Sequence, residues 1–107
     1  MSAETEQEEY IPLQNHFSET LRDILENGTV KASQISAATG IPAPHLSEMK
    51  AGRRRITPEN DLRLSRYLGI SPGFFSKLQL DYELERAKRK HISEINSIEP
   101  IPLPSID

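Results

Sequence analysis

The sequence has no cysteine, no tryptophan and only three phenylalanines and three tyrosines among its 107 residues. Without cysteine there is no disulfide and no thiolate metal site, which fits a reducing cytoplasm. No apolar run approaches the roughly 18 residues that a membrane span needs. The first ten residues are acidic, unlike a secretory signal. We therefore expect a cytoplasmic protein with a mostly aliphatic core and no membrane association.

Patterns for catalysis or metal binding are also missing. The three histidines, His16, His45 and His91, lie far apart in the chain, with no carboxylate cluster at metal-ligand spacing around them. There is no glycine-rich phosphate loop and no nucleophile elbow. The sequence therefore predicts no enzyme activity, no metal and no cofactor.

The formal net charge is −3, but the charges are unevenly distributed. Four glutamates crowd the N-terminus and two basic groups follow later: Glu4, Glu6, Glu8 and Glu9, then Arg53–Arg55, then Arg86–Lys90. Charges more than about 8–10 Å apart are screened at physiological salt, so local groups rather than the net charge steer a partner. A basic surface for nucleic acid is compatible with this distribution, although any one run of charge can equally be a solvated face.

Hydrophobic spacing predicts five short helices and no β-hairpin, so the expected fold class is all-α. The apolar face of the first helix consists of Phe17, Leu21, Ile24 and Leu25. Its predicted N-cap is Asn15, and Gly28 suits a left-handed C-terminal exit.

The second and third helices have the spacing of a helix-turn-helix, in which a short turn that often holds glycine joins two steeply crossing helices. The second covers residues 32–39 and the third ends at Gly52. The pattern is carried by Ile35, Ala38, Gly40, Ile41, Leu46 and Met49. In it Ala38 faces inward and allows close approach, Gly40 makes the turn and Ile41 fills the gap beneath. A generic helical hairpin shows the same pattern, so spacing alone leaves both interpretations open.

Two further helices begin with similar start signals. Thr57 caps the fourth helix and Pro58 fits its first position, while Gly69 ends it. Ser71-Pro72 repeats the signal for a fifth helix that continues to about Lys90. One side of that helix carries Phe75, Leu78 and Tyr82.

The chain divides into three predicted parts. Residues 1–14 form a flexible acidic N-terminal arm, residues 15–91 form the helix-turn-helix domain, and residues 92–107 form an extended Pro-rich C-terminal tail. In the tail Pro100, Pro102 and Pro104 stand at every second position, which forbids a helix and favours an extended backbone.

The stretch "AGRRRITPENDLRLSRYLGISPGFFSKLQLDYEL", residues 51–84, resembles the HigA-type antitoxins of bacterial toxin–antitoxin pairs. These belong to the repressor-like helix-turn-helix superfamily that includes phage repressors and Cro. The most specific parts are Ile56–Glu59, Leu68–Pro72, Phe74-Phe75, Leu78-Gln79 and Tyr82–Leu84, and the likeness extends over roughly residues 16–86. Two positions depart from the family pattern: Lys31 replaces a Ser or Thr cap, and Asp61 replaces a small apolar residue.

The resemblance implies a five-helix, lambda-repressor-like DNA-binding domain, usually a homodimer, that binds a palindromic operator in double-stranded DNA. It also implies a cognate RelE/HigB-like mRNA-cleaving toxin and repression of the pair's own operon. Two other functions stay open: a stand-alone transcriptional regulator without a toxin, and a protein-interaction module that has lost DNA binding.

The predicted DNA contacts lie around the segment "GIPAPHLSEMKAGRRR", residues 40–55. They are Lys31, Ser33 and Gln34 on the second helix, Ala43, Pro44, His45, Ser47, Glu48 and Lys50 on the third, and Arg53, Arg54 and Arg55 after it. Proline is tolerated in a helical first turn, but Pro42 and Pro44 remove donors that would otherwise bind bases. We expect phosphates to supply much of the affinity, chiefly through Lys31 and the three arginines. The arginines can alternatively be solvated or paired with Glu59 or Asp61.

Two kinds of protein contact are also predicted. The fifth helix has more large apolar residues than a small core needs, so Phe74, Phe75, Leu78 and Tyr82 are assigned to a dimer interface. The acidic arm and the Pro-rich tail are each candidates to become ordered on a toxin, the arm through its charge and the tail as an added strand.

Overall fold

In a computed structural model, which describes residues 12–28 and 30–105, the chain forms six helices and no β-strand. The helices are α1 (His16–Asn27), α2 (Ala32–Thr39), α3 (Ala43–Lys50), α4 (Pro58–Leu68), α5 (Phe74–Lys90) and α6 (Ile92–Asn96). The all-α helix-turn-helix fold is confirmed, and the first five helices coincide closely with the predicted ones. The acidic glutamates of the predicted arm lie outside the described residues.

The predicted capping residues are mostly confirmed. The Asn15 side chain accepts a hydrogen bond from the Ser18 backbone N–H at 3.1 Å, and the Thr57 hydroxyl accepts one from Asn60 at 3.2 Å. Gly69 has a left-handed backbone with φ of 70°. The left-handed exit predicted at Gly28 is wrong, because its backbone is extended. Glycine is needed there for space instead, since a Cβ would lie 2.5 Å from the Ile24 carbonyl oxygen.

Two helical details differ from the predictions. Thr39 rather than Ala38 faces the core, because the inward face of α2 follows a spacing of four residues from Ile35. The helix α5 begins at Phe74, after Gly73 adopts a left-handed backbone with φ of 89°. Ser71-Pro72 therefore forms the preceding turn, in which the Ser71 carbonyl accepts from the Phe74 N–H.

A single core joins the first five helices. Its buried residues are Phe17, Leu21, Ile35, Ile41, Leu46, Met49, Ile56, Leu64 and Phe75. Phe17 and Phe75 meet edge to face with ring centroids 6.1 Å apart, which fixes α5 against α1. All other members are aliphatic or methionine, as the scarcity of aromatic residues predicts.

The C-terminal end of the chain projects from this core. Among the described helices, α6 packs mainly against α5, and the radius of gyration is 18.1 Å, above the about 13 Å of a compact chain of 100 residues. The prediction that the tail is extended from Ile92 is wrong for residues 92–96, which form α6 because proline first appears at Pro100. Residues 99–105 have no regular secondary structure. No described helix is long and apolar enough to cross a membrane.

Asp61 is fully buried where α4 meets the start of α5. Its carboxylate accepts hydrogen bonds from the Ser65 hydroxyl at 3.0 Å, from the Gly73 backbone N–H at 2.8 Å and from the Ser76 backbone N–H. Burial alone would raise the pKa of Asp61, but these hydrogen bonds together outweigh it and lower the pKa below its ordinary value. Asp61, which stands where the family pattern has a small apolar residue, therefore caps the first turn of α5 from a buried position.

We expect Asp61→Asn to lower the free energy of unfolding at pH 7 by about 1–3 kcal/mol, because an amide nitrogen would face backbone donors. The stabilisation by Asp61 is present above its ordinary pKa of about 4 and is lost as pH falls through the lower folded value. The difference from wild type should therefore shrink in acid. Urea unfolding at pH 7 and pH 3 measures this, with the exposed Asp23→Asn as control. Equal stability of the two variants at pH 7 would contradict it.

Candidate nucleic-acid interface

The turn between α2 and α3 is held by a small set of buried hydrogen bonds. Gly40 has a left-handed backbone with φ of 83°, as predicted for the turn residue. The Thr39 hydroxyl donates to the Ile35 carbonyl at 2.7 Å and accepts from the Ile41 backbone N–H at 3.1 Å. Ile41 is buried below the turn, as predicted. These contacts fix the direction in which α3 leaves α2.

A second contact braces the same turn from α4, and sequence reasoning missed it. The Arg63 guanidinium donates to the Thr39 carbonyl oxygen at 2.7 Å and pairs with Glu59 at 2.7 Å. Arg63 thus satisfies a carbonyl at the C-terminal end of α2, where a cation is electrostatically favoured. The four-residue spacing of Glu59 and Arg63 predicts their pairing, but nothing in the sequence indicates the contact with Thr39.

The two prolines do not break α3, the second helix of the helix-turn-helix unit. Pro42 is its N-cap, with φ of −59° and ψ of 139°, and Pro44 is in its first turn. The Pro42 carbonyl accepts hydrogen bonds from the backbone N–H groups of His45 and Leu46 at 2.9 and 3.2 Å. Leu46 and Met49 are fully buried, as predicted. The helix is therefore anchored on one side, with its proline-containing first turn in solvent.

The predicted DNA contacts lie on the surface. The exposed ones are Lys31, Ser33, Gln34, Ala43, Pro44, Ser47, Arg53, Arg54 and Arg55, and the half-buried ones are His45, Glu48 and Lys50. They belong to the N-terminal part of α2, to α3 and to the loop directly after α3. All three segments therefore present these side chains at accessible positions of the helix-turn-helix unit.

The start of α2 is capped by its own third residue. The Gln34 side-chain oxygen accepts from the Lys31 backbone N–H at 2.8 Å. The Lys31 ammonium cannot accept a hydrogen bond, so it does not replace the absent Ser or Thr cap. The Gln34 amide nitrogen and the Lys31 ammonium are not used in this hydrogen bond.

Two of the three consecutive arginines form ion pairs, and their partners differ from the predicted Glu59 and Asp61. Arg54 Nε lies 2.6 Å from Glu48 Oε1 on α3. Arg55 binds Glu83 on α5 through two nitrogens, at 2.8 and 3.3 Å. The Glu59 carboxylate pairs with Arg63, and Asp61 is buried under α5, so neither faces the loop.

The pairs hold their carboxylates ionised. The hydrogen bond from Arg54 lowers the pKa of Glu48, and the hydrogen bond from Arg55 lowers the pKa of Glu83. The same contact with Glu83 raises the pKa of Arg55. At neutral pH both pairs are therefore fully charged, and the positive charge of these two arginines is locally compensated.

The remaining arginine, Arg53, forms no ion pair with any residue in the described ranges. It lines a cleft of about 190 Å³ between α5 and the arginine loop, which consists of residues 53–55. Arg86 on α5 lines the same cleft and lies over the Tyr82 ring, 5.0 Å from its centroid. The basic surface thus extends from the arginine loop onto α5. The sequence does not indicate this, because Arg53 and Arg86 are far apart in the chain.

A helix-turn-helix family profile matches residues 21–75, just over half of the chain, and includes all of α2, α3 and α4. The chain belongs to the helix-turn-helix family. No match was found among curated protein sequences.

Solved structures show the same helix-turn-helix fold over most of their length. PA4674 of Pseudomonas aeruginosa, solved with its 18-base-pair operator DNA, is 27% identical with a TM-score of 0.75, over 86% of this chain and 100% of that one. The P. aeruginosa antitoxin HigA with the higBA promoter is 28% identical with a TM-score of 0.71, over 80% and 96%. A HigA-family antidote protein of Coxiella burnetii is 23% identical with a TM-score of 0.72, over 85% and 100%. The resemblance to HigA-type antitoxins is confirmed.

One of the four residues predicted for a dimer interface, Phe75, does not lie on the surface. Phe75 is fully buried in the core of its own chain, so its side chain is not available to a second copy. Leu78 packs partly against the same core, Tyr82 is half-buried and Phe74 is 39% exposed. The more exposed apolar side chains of α5 are Leu80 and Leu84, at 53% and 60%. Their four-residue spacing places both on one face of the helix.

We expect Glu48→Gln to raise the affinity for double-stranded DNA about tenfold at low salt, because Arg54 would gain one charge-assisted contact with a phosphate. The slope of log affinity against log salt should steepen by roughly 0.9. Fluorescence anisotropy with a labelled random duplex measures both. Glu94→Gln is the matched control, since it removes the same charge on α6. An unchanged slope in the Glu48 variant would show that Arg54 does not reach DNA.

Proposed function

We propose that the chain is a DNA-binding antitoxin that represses its own operon and neutralises a cognate RelE/HigB-like mRNA-cleaving toxin. The observation that supports the DNA-binding part is the α2–α3 unit, in and after which Lys31, Gln34 and Arg53–Arg55 are exposed. The two P. aeruginosa relatives solved with operator or promoter DNA have the same fold over at least 80% of this chain, which supports the proposal.

Phosphate contacts supply most of the affinity in this proposal. The first turn of α3 offers Ala43 and Pro44, which can contact only a thymine methyl. His45 can donate to a guanine acceptor, and Glu48, once released by Arg54, can accept from a cytosine amine. Base-specific contacts are therefore few, and DNA shape contributes the rest of the sequence preference.

The three arginines should differ in their contribution to DNA binding. Arg53→Ala removes a cation that forms no ion pair among the described residues, so it should weaken binding to operator and random DNA alike and flatten the salt slope by roughly 0.9. Arg55→Ala should change the slope less, because Arg55 is held by Glu83. Lys88→Ala, on the projecting part of α5, is the control. The assignment fails if Arg53→Ala keeps the wild-type slope on both duplexes.

A protein-interaction module without DNA binding is the second candidate. The compensation of Arg54 and Arg55 by Glu48 and Glu83 favours it, because it reduces the positive charge presented to phosphates. Undetectable binding of the wild-type chain to any duplex at low salt would establish this alternative and exclude the first.

One short recognition helix gives too little contact for specific binding, so we propose a two-fold homodimer on half-sites about one helical turn apart. The exposed apolar residues of α5 and the residues after it supply the candidate interface. The toxin is a separate partner, and a toxin that cleaves mRNA presents a basic surface to its substrate. The acidic N-terminal arm has the complementary charge.

Deletion of residues 1–14 should weaken binding to the toxin at least about tenfold and make the residual affinity less sensitive to salt, because four glutamates are removed. Isothermal titration with the toxin encoded beside this chain measures the change. A matched variant that replaces Glu4, Glu6, Glu8 and Glu9 with glutamine separates charge from length. Unchanged affinity in both variants would move the toxin contact to the helical domain.

A further inference from the structure

One residue of the cleft between the arginine loop and α5, here called the arginine cleft, has a buried oxygen without a hydrogen-bond partner among the described residues. The Gln79 side chain lines this cleft and is 4% exposed. Its Nε2 donates to Glu83 Oε2 at 3.0 Å, but its Oε1 accepts from no described group. An unpaired buried acceptor is costly, so this oxygen points to a donor that the described residues do not supply.

The arginine cleft also has an excess of positive charge. Four arginines line it against a single glutamate. Two of these arginines are compensated by the ion pairs with Glu48 and Glu83, whereas Arg53 and Arg86 form no ion pair with any described residue. The cleft therefore suits a ligand that carries carboxylates for the two arginines and an N–H donor for Gln79.

A glutamate-rich peptide supplies both groups. Each of its residues has a backbone N–H, and each glutamate adds a carboxylate that an arginine binds through charge-assisted hydrogen bonds. The backbone of DNA presents only acceptors, which the Gln79 oxygen would repel. The chemistry inside the cleft thus favours an acidic peptide over DNA, although the exposed Arg53 can bind either of them.

The chain itself carries such a peptide directly before its first described residue. Residues 1–11 include the four glutamates of the acidic arm and no lysine or arginine. Pro12 lines a second cleft on α5, and Tyr82 lines both that cleft and the arginine cleft. At no more than about 3.5 Å of chain per residue, Glu9 lies within about 10 Å of Pro12 and Glu4 within about 28 Å. Attachment this close gives the glutamates a high effective concentration at the cleft, so weak surface ion pairs suffice to hold them.

We propose that residues 4–9 of the acidic arm bind in the arginine cleft of their own chain, with carboxylates on Arg53 and Arg86 and a backbone N–H on Gln79 Oε1. Arg53 then cannot bind a DNA phosphate at the same time, so the bound arm lowers the affinity for DNA. This consequence rests on the DNA-binding function proposed above, whereas binding of the arm in the cleft does not. A partner that takes the arm, as proposed for the toxin, frees Arg53, so by linkage the partner and DNA strengthen each other's binding.

A nitroxide label on the arm of the full chain tests the binding without DNA. The chain has no cysteine, so Thr5→Cys provides a unique attachment point between two of the glutamates. We expect the label to broaden the amide signals of Gly52, Arg53 and the Gln79 side chain, and this broadening to disappear at about 1 M salt, where surface charges are screened. Arg86→Gln should reduce the broadening at least twofold. Lys88→Gln, which removes the same charge outside the cleft, should leave it unchanged.

Three outcomes of the labelling experiment would overturn the proposal. They are the absence of broadening at the cleft, equal effects of the Arg86 and Lys88 variants, and broadening that arises only between copies. The last is measured by mixing nitroxide-labelled chains with separate isotope-labelled ones.

A random duplex tests the consequence for DNA binding. Replacing the four glutamates of the arm with glutamine should raise the affinity about tenfold at low salt and much less at high salt, because salt already weakens the binding of the arm. In a chain that carries Arg53→Ala and Arg86→Gln, the same replacement should change the affinity less than twofold, since the arm has lost its site. An equal gain in both chains would reveal a general charge effect and overturn the competition. If the wild-type chain binds no duplex while the cleft signals are broadened, the arm site stands and the DNA-binding function fails.

Discussion

The angle between α2 and α3 is fixed by the hydrogen bonds around Thr39, and the presentation of the whole candidate interface depends on it. The Thr39 hydroxyl joins the last turn of α2 to Ile41, and its carbonyl accepts from Arg63 on α4. A left-handed glycine makes the turn possible, but these contacts select one direction for α3. These contacts thereby fix how the exposed residues of α3 are oriented relative to α2.

Electrostatic compensation is the second constraint on this surface. A phosphate would have to compete with a carboxylate of the same chain for two of the three consecutive arginines, with Glu48 for Arg54 and with Glu83 for Arg55. Both pairs are at least partly exposed, where an ion pair contributes little to stability. Breaking a pair therefore costs little folding stability, but the released carboxylate stays beside the arginine and would repel a phosphate. The pairs consequently limit what Arg54 and Arg55 can add to DNA binding.

The division of the chain into a packed domain and a projecting end separates two roles. The buried Asp61 and the contact of Phe17 with Phe75 hold the start of α5 in the domain. After Glu83 the helix leaves the core, and its apolar residues face solvent together with those of α6 and the tail. Surfaces of this kind, contiguous and apolar, mark sites of protein association. The exposed side of α3 and these apolar side chains therefore belong to different parts of one chain.

The sequence by itself determined the helices, most of their ends and the residues of the turn. Helical periodicity identified Leu21, Leu46 and Met49 as core, and Asn15, Thr57 and Gly40 as end residues, because these signals depend on neighbours within one or two turns. Only the tertiary structure decided which residues face inward. Thr39 is buried where the prediction had Ala38, and Phe75, which was predicted for a dimer interface, is buried in the core. The tertiary structure also decided the partners of Arg54, Arg55, Asp61 and Arg63. Those contacts join residues up to 28 positions apart, and local patterns carry no information about which distant side chains the packing of the core brings together.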